Sequence, residues 1–332
     1  MHPDQVFYEP AALHYPLGQY LKQKFNDVPW VEIENHNNIE QLRSNPNSEF
    51  AHMKRHIIVG VRKSLRYTPN QKVSDYLVPY TSSGCSAMCL YCYLVCNYNK
   101  CSYLRLFVNR EQMMDRLKKT AAQHTEKEPV FEIGSNSDLV LENTITQNLE
   151  WTVSEFAKSE RGYLTFPTKF DMVDPILTLD HRCRILPRMS VNPQEVIRRV
   201  EFGTSDLAAR LHAINRLSEA GYRTGILIAP VVLIEGWKEH YARLIEQMAD
   251  TLSEQTKRTL YFEIIFMTYS YVHRAINADA LPNAVQLYDT SLMTGRGRGK
   301  YCYREDVRED GEQYLRALLA EKFDGVPIIY VV

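Results

Sequence analysis

An α/β fold is predicted: a partial barrel of parallel strands with an N-terminal α/β extension and a C-terminal hairpin and helix. Three observations carry that prediction. Short β-rich runs alternate with amphipathic stretches of helical spacing through the middle of the chain, the pattern of a parallel sheet with helical crossovers. Six such strand units fit an open, TIM-like (β/α)6 barrel better than a closed eight-stranded one. No internal repeat or low-complexity linker divides the sequence, so one domain is expected over residues 1–332.

Taken in order, residues 1–75 read as an extension that packs on the barrel, with its own strand at Ile57–Val61. The barrel, residues 76–293, runs through candidate strands Tyr76–Tyr80, Val130–Ile133, Leu164–Pro167, Ile185–Ser190, Gly225–Val232 and Tyr261–Met267. Between them lie the candidate helices Glu111–Gln123, Asn148–Lys158, Ser205–Ala220 and Gly236–Leu252. In the last of these, Tyr241, Leu244, Ile245, Met248 and Leu252 recur at helical spacing. Gly203–Asp206 offers a capping Ser or Thr to open a helix, and Glu219–Tyr222 reads as a helix end. Residues 294–332 add a Gly/Arg loop, a helix near Gly311–Ala320 and a last strand at Pro327–Val331.

Composition narrows the class. With 45% hydrophobic and 24% charged residues, the 332-residue chain can bury an ample core. Thirty-nine basic against 40 acidic residues leave a net charge of −1, so a nucleic-acid contact has to come from a local patch. Met1–Gln5 carries no basic and apolar signal segment, and no apolar stretch reaches 18 residues. Five of the seven cysteines cluster between Cys85 and Cys101, which favours metal binding in a reducing compartment over a disulfide framework. A cytoplasmic protein without a membrane partner is expected.

The cluster begins with Cys85, Cys89 and Cys92 in the run Gly84–Tyr93, a C-x3-C-x2-C spacing directly after the first candidate strand. In parallel barrels the working residues sit at strand C-terminal ends. Three thiolates at this spacing suit a [4Fe-4S] cluster whose fourth iron stays open for a ligand. An open iron on a reducing cluster binds S-adenosylmethionine and splits it into a 5′-deoxyadenosyl radical, which the protein then aims and contains. Two other readings compete. Cys89 and Cys92 alone resemble a redox pair, and Cys96 with Cys101 would complete a zinc site. The first leaves Cys85 without a role; the second lacks the usual long spacer.

Polar groups end four of the candidate strands: Ser135–Asp138, Thr168–Lys169, Ser190–Asn192 and, more weakly, Ala229–Pro230. Lys169 is placed to pair a cofactor carboxylate, with Ser137, Asp138, Ser190 and Asn192 to hydrogen-bond the rest; the alternative is ordinary loop capping. Several tyrosines flank the cysteines, Tyr91 and Tyr93 among them, and beside a radical generator a phenol can give and regain a hydrogen atom. In Gly295–Tyr303, Arg296 and Arg298 alternate with glycines ahead of Lys300 and Tyr301, a composition that grips phosphates or stays a solvated turn. Lys54–His56 and Arg62–Arg66 form a second basic run, read by default as a charged strand edge.

The loop Cys85–Leu94 resembles the cluster loop of spore photoproduct lyases, which are radical S-adenosylmethionine enzymes. Further similar elements, each short, follow in order along nearly the whole chain: Tyr15–Gly18, Val59–Lys63, Thr168–Phe170, Gly203–Ser205, Ala220–Tyr222, Ala229–Pro230, Glu235–Trp237 and Gly299–Tyr301. The resemblance implies a partial (β/α)6 barrel that repairs 5-thyminyl-5,6-dihydrothymine in UV-damaged DNA. Hydrogen is abstracted from C6 of the lesion, the methylene bridge breaks, and a hydrogen atom returns to the thymine radical. It also implies a lesion flipped out of the duplex, a hairpin at Arg296 and Arg298 filling the gap, and an external electron donor such as flavodoxin or ferredoxin. By the same resemblance Ser137, Lys169 and Ser190 fall where cofactor contacts are made, and Tyr91 and Tyr93 fall on the hydrogen-relay pair.

One departure stands out. Where the well-known members carry the hydrogen-donating cysteine, this chain has Ser135, whose O–H bond is too strong to replace a thiol. Cys96 is the first candidate to take over and Cys101 the second; a buried, inert cysteine is the plain alternative. The lost thiol position also keeps open a divergent radical enzyme acting on another nucleic-acid or nucleotide substrate. A non-catalytic iron–sulfur or zinc module that holds nucleic acid through the Gly/Arg loop is the third reading.

Overall fold

The computed structural model describes residues 1–97 and 103–332, with residues 96 and 97 described by their backbone alone. Two compact units divide the chain: Met1–Ser86, Asn97–Thr168 and Met172–Leu186 form the first; Ala87–Cys96, Lys169–Asp171 and Pro187–Val332 form the second.

In the first unit, a sheet runs in the order Trp30–Glu32, Gln5–Tyr8, His56–Gly60, Leu104–Phe107 and Ser82–Ser83. Its first four strands are parallel and the last is antiparallel. The central strand His56–Gly60 is buried along its whole length, as its unbroken apolar run requires of a strand covered on both faces. Alternation sends Val6, Ile57, Val59, Leu104 and Leu106 to one face, against Leu17, Leu21 and Phe25. Phe7 and Ile58 point the other way, against Ile39, Leu42 and Met53. Helix Pro16–Lys24 comes close enough to the preceding turn that a Cβ on Gly18 would lie 1.9 Å from the carbonyl oxygen of Ala12.

The same unit holds parallel strands Tyr163–Thr168, Val130–Glu132 and Tyr76–Leu77, with Thr68–Pro69 antiparallel at the end. The expected strand Tyr76–Tyr80 is shorter than its apolar run. Val78 N still donates to Glu132 O at 2.8 Å, but Pro79 has no N–H to continue the ladder.

The second unit places Gly225–Val231 in parallel register with Arg188–Val191 of the strand Ile185–Val191 on one side and with Tyr261–Phe266 on the other. Ile328–Val331 follows Tyr261–Phe266, also parallel. Gly225 makes room for a neighbour: a Cβ there would lie 2.6 Å from the Tyr261 ring. Helices Leu207–Glu219, Trp237–Thr251 and Glu305–Lys322 supply the layer over these strands, the second burying Tyr241, Leu244, Ile245 and Met248 as its spacing predicts. A three-stranded antiparallel sheet of Thr268–Ser270, Lys300–Tyr303 and Met293–Gly295 completes the unit. Among the described residues, no helix is long and apolar enough to cross a membrane.

Candidate active site

Cys85 belongs to the first unit. It follows the strand Ser82–Ser83 and Gly84, whose φ of 83° only glycine adopts without strain. Gly84 N donates to Asn136 O at 2.7 Å and bridges to Ser137, and Ser82 Oγ donates to Ser137 Oγ at 2.7 Å. The expected cofactor residue Ser137 therefore lies alongside the start of the cysteine run. Asp138 caps helix Leu139–Thr146, accepting from Val140 N and Leu141 N at 3.1 and 3.2 Å and from Thr168 Oγ1 at 2.8 Å. Lys54, read from sequence as part of an exposed basic edge, is instead buried; its ammonium donates to Cys85 O at 2.6 Å. Phe50 and Met53 of the short helix before it are buried with it.

Cys89 and Cys92 belong to the second unit. Met88–Cys89 pairs antiparallel with Glu201–Phe202. Leu90 N donates to Val200 O at 2.9 Å, while Leu90 O accepts from Asn277 Nδ2 at 2.8 Å. Cys92 O accepts from His273 Nε2 at 2.9 Å. Ser270 N donates to His273 Nδ1 at 3.1 Å, which puts the ring proton on Nε2, facing the carbonyl. Burial lowers the His273 pKa and keeps that ring neutral. Helix Tyr271–Ala280 thus reaches the loop with two side chains one turn apart.

All three cysteines are half-buried. Among the described residues, no group of three or more His, Cys, Asp or Glu forms a ready single-ion site. The donor set, three soft thiolates on one short loop, fits an iron–sulfur cluster that gives each thiolate its own iron. The side chain of Cys96 and all of Cys101 lie outside the described residues; the backbone of Cys96 falls in helix Leu94–Asn97.

In the second unit, three residues singled out from sequence, Lys169, Asn192 and Tyr91, meet with Arg210 on one carboxylate that sequence reading missed. Glu201, with its side chain fully buried, accepts from Lys169 Nζ at 3.0 Å, Asn192 Nδ2 at 2.8 Å, Arg210 Nη2 at 2.7 Å and the Tyr91 hydroxyl. Lys169 Nζ also donates to Ser190 Oγ at 2.6 Å and Ala229 O at 2.7 Å. Arg210, likewise fully buried, donates to Ser190 O, Ser205 O and Thr204 Oγ1 at 2.9, 2.9 and 2.7 Å. Asn192 Oδ1 accepts from the Tyr241 hydroxyl at 3.0 Å. Burial alone would raise the Glu201 pKa; the Lys169 and Arg210 cations and the hydrogen bonds override it and bring the carboxyl down to about 2. Desolvation, and then the Glu201 charge, push the Tyr91 phenol well above its ordinary range, so it keeps its hydrogen. Tyr93 is half-exposed.

A sequence signal for this network existed. Arg210 sits three residues after Leu207 and four before Ile214, on the apolar face of its helix, and a cation there demands a buried partner. Glu201 has no such mark in its stretch Arg198–Phe202.

Arg296, Arg298 and Lys300 are exposed at the tip of the hairpin Met293–Gly295 to Lys300–Tyr303. Arg296 N donates to Lys300 O at 2.8 Å, and Gly297 and Gly299 take φ values of 83° and 68° to close the turn. Tyr301 packs on Tyr288 with ring centroids 4.4 Å apart. Tyr271, 61% exposed, lies against Gly299, where a Cβ would come 2.2 Å from its ring. The Gly/Arg stretch is thus a built β-turn that presents cations beside an aromatic ring.

Comparison with known proteins gives the family. The family profile described as spore photoproduct lyase matches residues 1–332. The spore photoproduct lyase of Bacillus subtilis is 32% identical over 336 residues, covering 99% of this chain and 98% of the relative; that of a Geobacillus species is 30% identical over the same length and coverage. A solved spore photoproduct lyase complexed with dinucleoside spore photoproduct is 28% identical, covers 99% of both chains and superposes with a TM-score of 0.92. A doubly substituted form with bound AdoMet and the dinucleoside lesion gives 0.91 at the same identity and coverage. The partial-barrel fold class read from sequence stands on this likeness. The chain belongs to the spore photoproduct lyase family.

Proposed function

We propose that this protein is a DNA repair lyase that reverts the spore photoproduct to two thymines by radical S-adenosylmethionine chemistry. The observation that carries the reading is the match along all of residues 1–332 to a family whose solved members hold the dinucleoside lesion and AdoMet. Cys85, Cys89 and Cys92 hold the [4Fe-4S] cluster. Cluster and AdoMet, when bound and fed an electron by a flavodoxin or ferredoxin, supply the carbon radical that takes hydrogen from C6 of the lesion. Lys169 pairs the AdoMet carboxylate, with Ser190 beside it, and Ser137 is a further contact to AdoMet; Asp138 and Asn192, expected from sequence to touch the cofactor, are spent on a helix cap and on Glu201 and Tyr241 and act behind these residues. Arg296, Arg298, Lys300 and Tyr301 hold the damaged strand. Tyr91, kept protonated, and Tyr93 hold hydrogen for relay.

The last step returns a hydrogen atom to the thymine radical, and with Ser135 at the position implied for the family's donor, another thiol has to supply it. Cys96, four residues after Cys92, is that donor, directly or through Tyr91 and Tyr93: its S–H bond breaks, a C–H bond forms, and the radical left on the protein is reduced by one electron from the external flavodoxin or ferredoxin and one proton from solvent. The experiment is anaerobic turnover of the dinucleoside lesion by the cluster-loaded chain and by Cys96→Ala. Wild type is expected to form thymine and 5′-deoxyadenosine, and the variant to divert the thymine radical into adducts with reductant. Wild type that leaves the lesion intact refutes the lyase; clean thymine from the variant refutes the donor.

A further inference from the structure

The Lys169 ammonium, with three hydrogens to give, donates to Ser190 Oγ at 2.6 Å, Ala229 O at 2.7 Å and Glu201 Oε1 at 3.0 Å. A ligand carboxylate arriving at this ammonium has to displace one of them, and the Glu201 contact is the longest. Glu201 also loses least: Arg210 stays on Oε2, with Asn192 and Tyr91 on Oε1. Oε1 takes three donors, Lys169, Asn192 and Tyr91, although an oxygen offers two lone pairs; removing Lys169 relieves that crowding and strengthens the bond from Tyr91.

We infer that Glu201 is a positioning residue that stands in for the carboxylate of AdoMet at Lys169, yields to it when the cofactor binds, and thereby couples cofactor binding to the hydrogen bond that seats Tyr91. The inference rests on the reading of Lys169 as the AdoMet carboxylate partner. It reverses the usual expectation for a buried acid beside a binding lysine. Glu201 holds the lysine in place and competes for it, so removing its charge tightens carboxylate binding while loosening the seat of Tyr91.

The test is anaerobic calorimetry on the cluster-loaded chain with two probes: S-adenosylhomocysteine, which keeps the amino-acid carboxylate, and 5′-methylthioadenosine, which lacks it. Glu201→Gln is expected to bind S-adenosylhomocysteine about five-fold or more tighter than wild type, and 5′-methylthioadenosine unchanged. Equal or weaker binding of S-adenosylhomocysteine, or equal shifts for both probes, overturns the inference. A merely structural Glu201 predicts weaker binding of both. Lys169→Met separates the premise: if it binds S-adenosylhomocysteine as wild type does, Lys169 is not the carboxylate partner and the underlying reading fails instead. Should Glu201→Gln fail to fold, a crystal structure of wild type with S-adenosylhomocysteine decides. Lys169 Nζ beyond hydrogen-bond reach of Glu201 supports the exchange, and a contact kept near 3.0 Å refutes it.

Discussion

Replacing Arg210 by Met tests how much of the second unit depends on the buried charge network. Methionine keeps the length and apolar stem of the side chain and removes four hydrogen bonds, to Glu201, Thr204, Ser190 and Ser205. Breaking one side of a buried pair costs about 3–5 kcal/mol, because the partner charge stays behind without its counterion. Glu201 retains Lys169, Asn192 and Tyr91, which argues for the lower end. The bared carbonyls of Ser190 and Ser205 add about 1 kcal/mol each at most, and not additively. A total near 3–4 kcal/mol divided by a urea slope of about 3 kcal/mol per molar puts the midpoint about 1 M below wild type. Urea unfolding followed by circular dichroism and tryptophan fluorescence together reads the shift, their coincidence marking a single transition. The double variant Glu201→Gln/Arg210→Met removes both charges and is expected to recover part of the loss. A midpoint within about 0.3 M of wild type for Arg210→Met, on an unchanged spectrum, refutes the argument.

Two further expectations follow from other parts of the chain. Glu9 and His36 form a buried pair, Oε1 to Nδ1 at 2.8 Å, with Val61 N also donating to Glu9. Burial lowers His36 below its ordinary 6.5 in spite of Glu9. For Glu9, burial raises the pKa, but the hydrogen bonds from Val61 and His36 bring it below 4.5. In both cases the unfolded chain takes up the proton first, so stability is full above pH 6.5 and declines as pH falls, first through His36 and then through Glu9. Urea midpoints rising between about pH 7 and 5 would contradict this, and His36→Gln should remove the upper part of the decline. At the hairpin, Arg296→Ala/Arg298→Ala is expected to weaken binding to any duplex of equal length alike and to flatten the salt dependence by about two charges; an unchanged slope in salt-titrated binding rules out phosphate contacts there.

Much of the fold was legible because its strands are buried on both faces and read as continuous apolar runs. Gly225–Val231 and Tyr261–Phe266 fall within a residue of expectation. Leu104–Phe107 did not read as a strand, since Arg105 interrupts it; that arginine is buried because its Nε finds the carbonyl of His36 at 3.0 Å, a partner far away in sequence. Helix Tyr271–Ala280 was missed for a related reason. His273 and Asn277 look like surface residues until the carbonyls they serve, those of Cys92 and Leu90, are brought to them. The candidate site divides along the same line. Cysteine spacing and polar strand ends are local patterns, visible in a single pass. Glu201 and Lys54 act through burial, and burial of a charge is decided by neighbours that the local sequence does not name.

The contacts that hold the cysteine loop have a common address. In the second unit Asn277 grips the carbonyl of Leu90 and His273 that of Cys92, so two side chains of one helix fasten the main chain of the cysteine run. The course of Leu90–Cys92 is therefore set by that helix. Since both anchors leave from one helix, a shift of Tyr271–Ala280 carries the peptide groups of Leu90 and Cys92 with it as a single piece.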